Sequence, residues 1–126
     1  MISGITALVV EDEYLIALEV QRILEGAGAT AVIAHPSIAG TIAPEQHATF
    51  DLAVVAVPPR NPVMAALCTS FRNRGVAVVA LTSGGENTAD SPELADFDVV
   101  EKPFSDHELL AAVTAALQGR RACPAS

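Results

Sequence analysis

Four short segments of the chain are apolar at nearly every position, and this pattern predicts strands buried on both faces. They are rich in Val and Ala and span residues 5–10, 30–34, 52–57 and 76–81. A fifth strand of only a few residues is predicted at residues 98–101. Because neither face of such strands meets water, the pattern favours a parallel sheet that helices cover.

Apolar residues at helical spacing separate these strands and predict helices between them. After the first strand the spaced residues are Leu15, Leu18, Ile23 and Leu24. After the third strand they are Met64, Leu67, Cys68 and Phe71. The alternation predicts an α/β fold, a five-stranded parallel sheet flanked by helices on both faces and wound as (βα)5.

Two of the helices have sequence signals at their ends. Asp12 is predicted to cap the first helix, which is expected to end near Gly26 and Gly28. Ser105 is followed three residues later by Glu108, a capping box that predicts the start of the last helix. Both helices therefore have a predicted start that depends on side-chain chemistry as well as on periodicity.

Two further helical regions are interrupted by residues that disfavour helices. The first contains Pro36, Gly40 and Pro44. The second, residues 84–96, is rich in Gly and Asp and contains a proline, so only short helices are predicted in both. A chain of 126 residues fits one domain. Residues 1–119 are predicted to form it, followed by a flexible tail of residues 120–126.

Composition narrows the classes of partner. Apolar residues make up 51% of the chain. The net charge is -8, and this negative charge disfavours binding to nucleic acids and to anionic membranes. No apolar run reaches the ~20 residues that span a bilayer, and no secretory signal is evident, so a cytoplasmic protein is expected. Cys68 is predicted to be buried and Cys123 exposed, both as free thiols.

Candidate chemistry follows the strands, because functional residues of parallel sheets gather at the carboxyl ends of the strands. Glu11 and Asp12 follow the first strand, and Ala56 ends the third. Thr82 follows the fourth strand and Lys102 the fifth. Paired carboxylates suit a divalent cation, and a hydroxyl and an ammonium group suit phosphoryl oxygens. The group lacks a nucleophile, because the methyl group of Ala56 cannot accept a phosphate.

These strand ends resemble those of a response regulator receiver domain, the phosphate-accepting module of two-component signalling. Residues 8–13 resemble the opening of that domain, and residues 101–104 resemble its Lys-Pro-Phe motif. The likeness covers about residues 5–117 in matching order and spacing. It implies a flavodoxin-like, doubly wound fold and a signalling module that is not an enzyme.

The resemblance also implies a role for each residue of the group. Glu11 and Asp12 match the metal-binding acids of receiver domains. Thr82 matches the switch hydroxyl, and Lys102 matches the lysine that contacts the phosphate. Ala56 stands where the phosphate-accepting aspartate belongs, which predicts a degenerate receiver that is not phosphorylated at the usual site.

Other features of the chain bear on this resemblance. Residues 57–60 read Val-Pro-Pro-Arg, and the two prolines are predicted to stiffen the loop after Ala56. Val99 stands where many receiver domains carry an aromatic residue that moves inward on activation. The Lys102–Pro103 bond is implied to be cis, as in the family.

Each candidate residue also has a structural interpretation. Glu11 and Asp12 would be favoured at a helix N-terminus, and Lys102 would form an ion pair with one of them. Thr82 would satisfy a backbone group at its strand end. Asp51 lies at the opposite end of the third strand, about 16 Å away at ~3.3 Å per residue, and is excluded as a substitute acceptor. Three histidines share no metal-ligand spacing and are expected at the surface: His35, His47 and His107.

The sequence therefore predicts an atypical receiver domain that acts through contacts with a sensor kinase, a regulator or another signalling protein. A homodimer through the last two helices and the fifth strand is a further expectation, by analogy with receivers. Two acids without a third ligand predict weak magnesium binding, and no cofactor is expected to be required. Two alternatives stay open: an engineered aspartate-to-alanine change at Ala56, against which the following prolines argue, and a metal-dependent phosphate-handling enzyme.

Overall fold

The computed structural model describes residues 4–35, 50–57, 62–83 and 97–122. Within these ranges all five predicted strands are present, each starting and ending close to its predicted bounds. The elements in chain order are β1 (Thr6–Val10), α1 (Tyr14–Gly26), β2 (Ala31–His35), β3 (Leu52–Ala56), α2 (Pro62–Asn73), β4 (Ala77–Ser83), β5 (Asp98–Lys102) and α3 (Asp106–Ala122).

The strands form one parallel sheet in the order β2-β1-β3-β4-β5. Each of the four neighbouring pairs is parallel. Parallel neighbours cannot be joined by a tight hairpin and need a crossover connection, and in the described residues α1 connects β1 to β2 and α2 connects β3 to β4. The predicted α/β fold with a five-stranded parallel sheet is confirmed, and with it the flavodoxin-like class.

Side chains of successive strand residues point to opposite faces of the sheet and contribute to two separate cores. Ala7 and Val9 of β1 pack in the core that α1 and α3 cover. Leu8 and Val10 pack in the core that α2 covers. Helices therefore lie on both faces, and the two-sided burial explains why β1, β3 and β4 are apolar at most positions. The edge strand β2 differs from the prediction of burial on both faces, because Ile33 is 43% exposed.

The start of α1 differs from the prediction. Glu13, and not Asp12, occupies the N-cap position, and its side chain makes no capping hydrogen bond. The Glu13 backbone N–H instead donates to Glu11 Oε2 at 3.0 Å. The prediction of Asp12 as the cap was wrong, because Glu13 still has an extended conformation and the helix begins only at Tyr14.

The apolar residues of α1 do not all face the core. Ala17, Val20, Ile23 and Leu24 are the buried residues of the helix. Leu15 and Leu18, which contributed to the predicted helical spacing, are 77% and 43% exposed. The spacing predicted the helix correctly, but the face that packs on the sheet lies to one side of these two leucines.

The predicted capping box of the last helix is confirmed. Ser105 N donates to Glu108 Oε1 at 2.9 Å, and Glu108 N donates to Ser105 Oγ at 3.1 Å. The helix continues past residue 119 to Ala122. Residues 123–126 lie outside the described residues, so the boundary between domain and tail stays a prediction.

Other expectations fall partly outside the described residues. The two short helices predicted in residues 36–49 and 84–96 lie there, as do residues 58–60, His47 and Cys123. Cys68 is buried as predicted, and desolvation raises the pKa of its thiol to about 12. Among the described residues, no helix is long and apolar enough to cross a membrane.

Candidate functional site

The carboxyl edge of the sheet carries the predicted group of residues. Glu11 follows Val10, the last residue of β1, and Ala56 is the last residue of β3. Thr82 lies in β4, and Lys102 ends β5. The topology therefore brings together at one edge residues that are up to 91 positions apart in the chain.

The strand register places Glu11 beside Ala56. Val10 is the register partner of Val55, and Ala56 is the partner of Leu81. Continued by one residue, the β1–β3 register sets Glu11 level with Ala56 on the adjacent strand, at a strand spacing of about 4.8 Å. Glu11 thus lies beside Ala56, the residue that the resemblance aligns with the acceptor of receiver domains.

An ion pair crosses this edge. Lys102 Nζ lies 3.1 Å from Glu11 Oε1, and the two side chains are only 16% and 1% exposed. The strands that carry them are not neighbours, because β3 and β4 lie between β1 and β5. At about 4.8 Å per interval the two strands are roughly 14 Å apart, so both side chains must extend across the end of the sheet. The predicted ion pair of Lys102 is confirmed, with Glu11 as its partner.

The buried carboxylate of Glu11 has a donor on each oxygen. Oε1 accepts from Lys102 Nζ and Oε2 accepts from the backbone N–H of Glu13. A carboxylate buried without such partners would be strongly destabilising. The charge of Glu11 is therefore paired with the ammonium group of Lys102 in the same chain.

Magnesium, the metal that the resemblance implies, prefers an octahedral set of oxygen ligands. Ala56 has no side-chain oxygen, and both oxygens of Glu11 are engaged in hydrogen bonds. Asp12 is exposed. Among the described residues, no three His, Cys, Asp or Glu side chains are grouped so that they could hold a metal. The residues at this edge do not fit a tight magnesium site, and weak binding by Glu11 and Asp12 stays a prediction.

The end of β3 is apolar. Ala56 is 8% exposed and belongs to the core that α1 and α3 cover. The backbone beyond it continues the sheet for one more hydrogen bond, from Val57 N to Leu81 O at 2.8 Å. The methyl group of Ala56 has no nucleophilic atom.

Thr82 lies inside β4 and not in the loop beyond it, because the strand continues to Ser83. Its register partner is Glu101 of β5, and its side chain is half-buried. Both interpretations of the hydroxyl, as a switch residue and as a partner for backbone groups, stay predictions.

The remaining candidates take the following positions. The Lys102–Pro103 peptide bond is cis, as the resemblance implied. Val99 is half-buried and packs against the core that α2 covers. His107 is exposed, as predicted, and His35 is the last residue of β2. Asp51 precedes β3, and its Oδ2 accepts from Thr6 N at 2.9 Å. It lies at the amino edge, so the structure agrees that it is no substitute acceptor.

Sequence reasoning missed two features near the site. The Glu13 backbone N–H holds the second oxygen of Glu11, and a main-chain donor leaves no signal in the residue types. The second feature is the exposure of Tyr14, which lies beside the predicted start of α1. Tyr14 is 72% exposed, and the neighbouring Leu15 is 77% exposed. The sequence contains a signal for this exposure of apolar side chains. The first five residues of α1, Tyr-Leu-Ile-Ala-Leu, contain no polar side chain apart from the tyrosine hydroxyl.

The comparisons with known proteins agree with this architecture. No protein-family model matches the chain, and no curated protein does. SdrG from Sphingomonas melonis Fr1 is 32% identical over 94% of this chain and 99% of its own, with a TM-score of 0.69. A response regulator receiver domain protein from Bacillus halodurans C-125 is 26% identical over 89% and 96%, with a TM-score of 0.67. One from Clostridium thermocellum is 20% identical over 94% and 98%, with a TM-score of 0.73.

The strand order, the acid after β1 and the Lys-Pro pair at the end of β5 agree with the resemblance to receiver domains of two-component signalling. The chain belongs to the response regulator receiver domain family.

Proposed function

We propose that the protein is an atypical receiver domain that is not phosphorylated at the usual position and that signals through contacts with other proteins. The observation that carries the proposal is the buried methyl group of Ala56 at the end of β3. Phosphoryl transfer to a receiver needs a carboxylate nucleophile at that point, and no chemistry of the alanine side chain can replace it.

The ion pair between Lys102 and Glu11 supports the same proposal. In an ordinary receiver the lysine contacts the phosphoryl group, so this anion balances its positive charge only while the domain is phosphorylated. Here the ammonium group is 3.1 Å from a buried carboxylate of the same chain. Its charge is already balanced, and the site needs neither phosphate nor metal to be electrostatically complete.

The partner is a sensor kinase, a regulator or another signalling protein. The net charge of -8 disfavours a nucleic acid as the direct partner. By analogy with other receivers, the contact face includes β5 and α3, through which a homodimer would also form. The domain acts as a binding module and not as an enzyme.

The test is a comparison of intact masses after incubation with acetyl phosphate and magnesium. Wild type is expected to gain no phosphoryl group, whereas Ala56→Asp is expected to gain one. Ala56→Asn is the matched control, because it has nearly the same shape as the aspartate variant but is not an acceptor. An ordinary receiver, treated in parallel, shows that the donor is active.

A phosphorylated wild type would overturn the proposal, because the acceptor would then be another residue of the chain. Magnesium titration followed by NMR gives a second readout. Wild type is expected to show weak shifts or none, and the Ala56→Asp variant larger shifts at Glu11 and Asp12. Equally strong binding to both proteins would contradict the view that the site needs no metal.

A further inference from the structure

The two edges of the described sheet carry different side chains. Strand β5, at one end of the strand order, has Asp98, Glu101 and Lys102 among its five residues. Strand β2, at the other end, reads Ala-Val-Ile-Ala-His and has no Asp, Glu, Lys or Arg. Charged side chains on an edge strand hinder its pairing with a strand of another molecule. β5 has this protection, and β2 lacks it.

The uncharged stretch of sequence extends well beyond β2. From residue 26 to residue 44 the chain contains no Asp, Glu, Lys or Arg. All residues of these four types lie elsewhere in the sequence, and they give the chain its net charge of -8. Like-charge repulsion, which keeps copies of an acidic protein apart, has no source within this stretch.

β2 also differs from its neighbour in burial. The strand residues of β1 are buried from Ala7 to Val10. Ile33, at the centre of β2 and in register with Leu8, is 43% exposed. Ala31 and Ala34 are exposed as well, and they lie on opposite faces of the strand. A β-branched side chain is therefore accessible at the centre of this edge strand, where such residues favour pairing.

The backbone of Ile33 points away from the sheet. Thr30 N donates to Ile5 O at 2.8 Å, so the backbone groups of Thr30 point toward β1. The N–H and C=O groups of successive strand residues point to alternate sides, so those of Val32 and Ala34 also point toward β1. The N–H and C=O of Ile33 point in the other direction, to the open side of the edge strand.

We propose that β2 pairs with β2 of a second copy of this chain, antiparallel and symmetric about Ile33. A two-fold axis at this point sets Ile33 opposite Ile33 of the other copy, and these two residues exchange both of their backbone hydrogen bonds. The flanking pairs on each side are Val32 with Ala34 and Ala31 with His35. Two five-stranded sheets are thereby joined into one.

Symmetry and charge favour this occupant. Pairing of β2 with itself closes at two molecules, because both copies use the same strand, whereas pairing of β2 with β5 of another copy would continue into open chains. Five residues on each side are far fewer than the roughly 20–30 of a standard interface, so the dimer is weak and forms as the concentration rises. It uses the edge opposite β5 and α3, and it is independent of the chemistry at Ala56.

The first test is sedimentation velocity of the full chain over a wide range of concentrations, without a phosphate donor. Wild type is expected to pass from monomer to dimer as the concentration rises. Ile33→Lys sets two ammonium groups opposite each other and is expected to lower the association constant by about tenfold or more. Val63→Lys is the matched control, because Val63 is 63% exposed but lies on α2. It should leave the association constant unchanged.

The second test determines the register by disulfide formation between copies, in a Cys123→Ser background. Ile33→Cys is expected to form the disulfide, because opposing residues of a hydrogen-bonded antiparallel pair have Cα atoms about 5.5 Å apart, within the range that a disulfide spans. Ala34→Cys is the control. Its two copies would be offset by two residues along the strands and lie about 8 Å apart, so it should form at least about tenfold less disulfide.

Three results would overturn the inference. A wild type that stays monomeric at every concentration would exclude a second copy and leave a strand of another protein as the occupant of the edge. A dimer that Ile33→Lys leaves intact, or that Val63→Lys weakens equally, would lie on another surface, such as β5 and α3. Equal disulfide formation by Ala34→Cys would contradict the register. Circular dichroism of each variant checks that the fold is retained.

Discussion

Two parts of the same sheet edge have very different chemistry. Where β1 and β5 end, Glu11 and Lys102 form a buried ion pair with a backbone donor on the second carboxylate oxygen. Strand β3 lies between them in the sheet and ends in Ala56, whose side chain is a methyl group. The comparison teaches that one edge of a sheet can hold a buried ion pair across two strand ends and an apolar side chain at a strand end between them.

The largest expected effect comes from removing one partner of the pair. Lys102→Met keeps most of the side-chain length but leaves Glu11 buried and uncompensated, which is expected to lower the free energy of unfolding by about 3–5 kcal/mol. Urea denaturation followed by circular dichroism measures it. The double variant Glu11→Gln/Lys102→Met should recover most of the loss, because neither side chain is then charged. A loss below about 1 kcal/mol in the single variant would show that the pair contributes little.

A carboxylate at the end of β3 should be the next largest perturbation. Ala56→Asp places a charge at a position that is 8% exposed and level with Glu11, so a loss of about 1–3 kcal/mol is expected at neutral pH. Ala56→Asn has nearly the same shape and should lose less. Magnesium should narrow the gap between the two variants, because it would be shared by the carboxylates. If Ala56→Asp and Ala56→Asn were equally stable without magnesium, a carboxylate at position 56 would not lie close to Glu11 as proposed.

The capping box of α3 tests whether the β5 side of the edge depends on the helix that follows it. Ser105→Ala removes the hydroxyl that accepts from Glu108 N and is expected to cost about 1 kcal/mol. Ser105→Thr should retain most of the cap. Combined with Lys102→Met, the two losses are expected to add, since the cap and the ion pair share no hydrogen-bonding atom. A strong departure from additivity would show that they form one unit.

The smallest effect is expected at the other end of β5. Desolvation raises the pKa of Asp98 above its ordinary value of 3.8. The wild type is therefore relatively most stable below the unfolded-state pKa and loses stability as the pH rises through the raised value. Asp98→Asn should be slightly more stable than wild type at neutral pH and equal to it well below pH 3.8. Urea midpoints across a pH series measure the difference, and a constant offset at every pH would argue against this cause.

The sequence predicted the sheet and the ion pair for definite physical reasons. Strands covered on both faces must be apolar throughout, so β1, β3 and β4 were evident from composition. Lys102 and Glu11 were placed together because the carboxyl ends of parallel strands share an edge. The expected cap at Asp12 was wrong, because the position of a cap depends on where the chain leaves its extended conformation, which residue types alone do not decide.

The orientation of α1 was beyond sequence reasoning for a different reason. Its first half is apolar around most of the helix, so periodicity identifies a helix without selecting the face that packs on the sheet. In the structure, Ala17 and Val20 are on the face that packs on the sheet, whereas Leu15 and Leu18 are exposed.

The methyl group of Ala56 also has a consequence for the timing of a signal. An acyl phosphate is a temporary mark, which is formed by a donor and erased by hydrolysis. A domain without the acceptor stores no such mark and has no lifetime to tune. Under the proposed function, the information that this protein conveys lies in how many copies are present and which of its partners they occupy, so synthesis and degradation would act as its on and off switches.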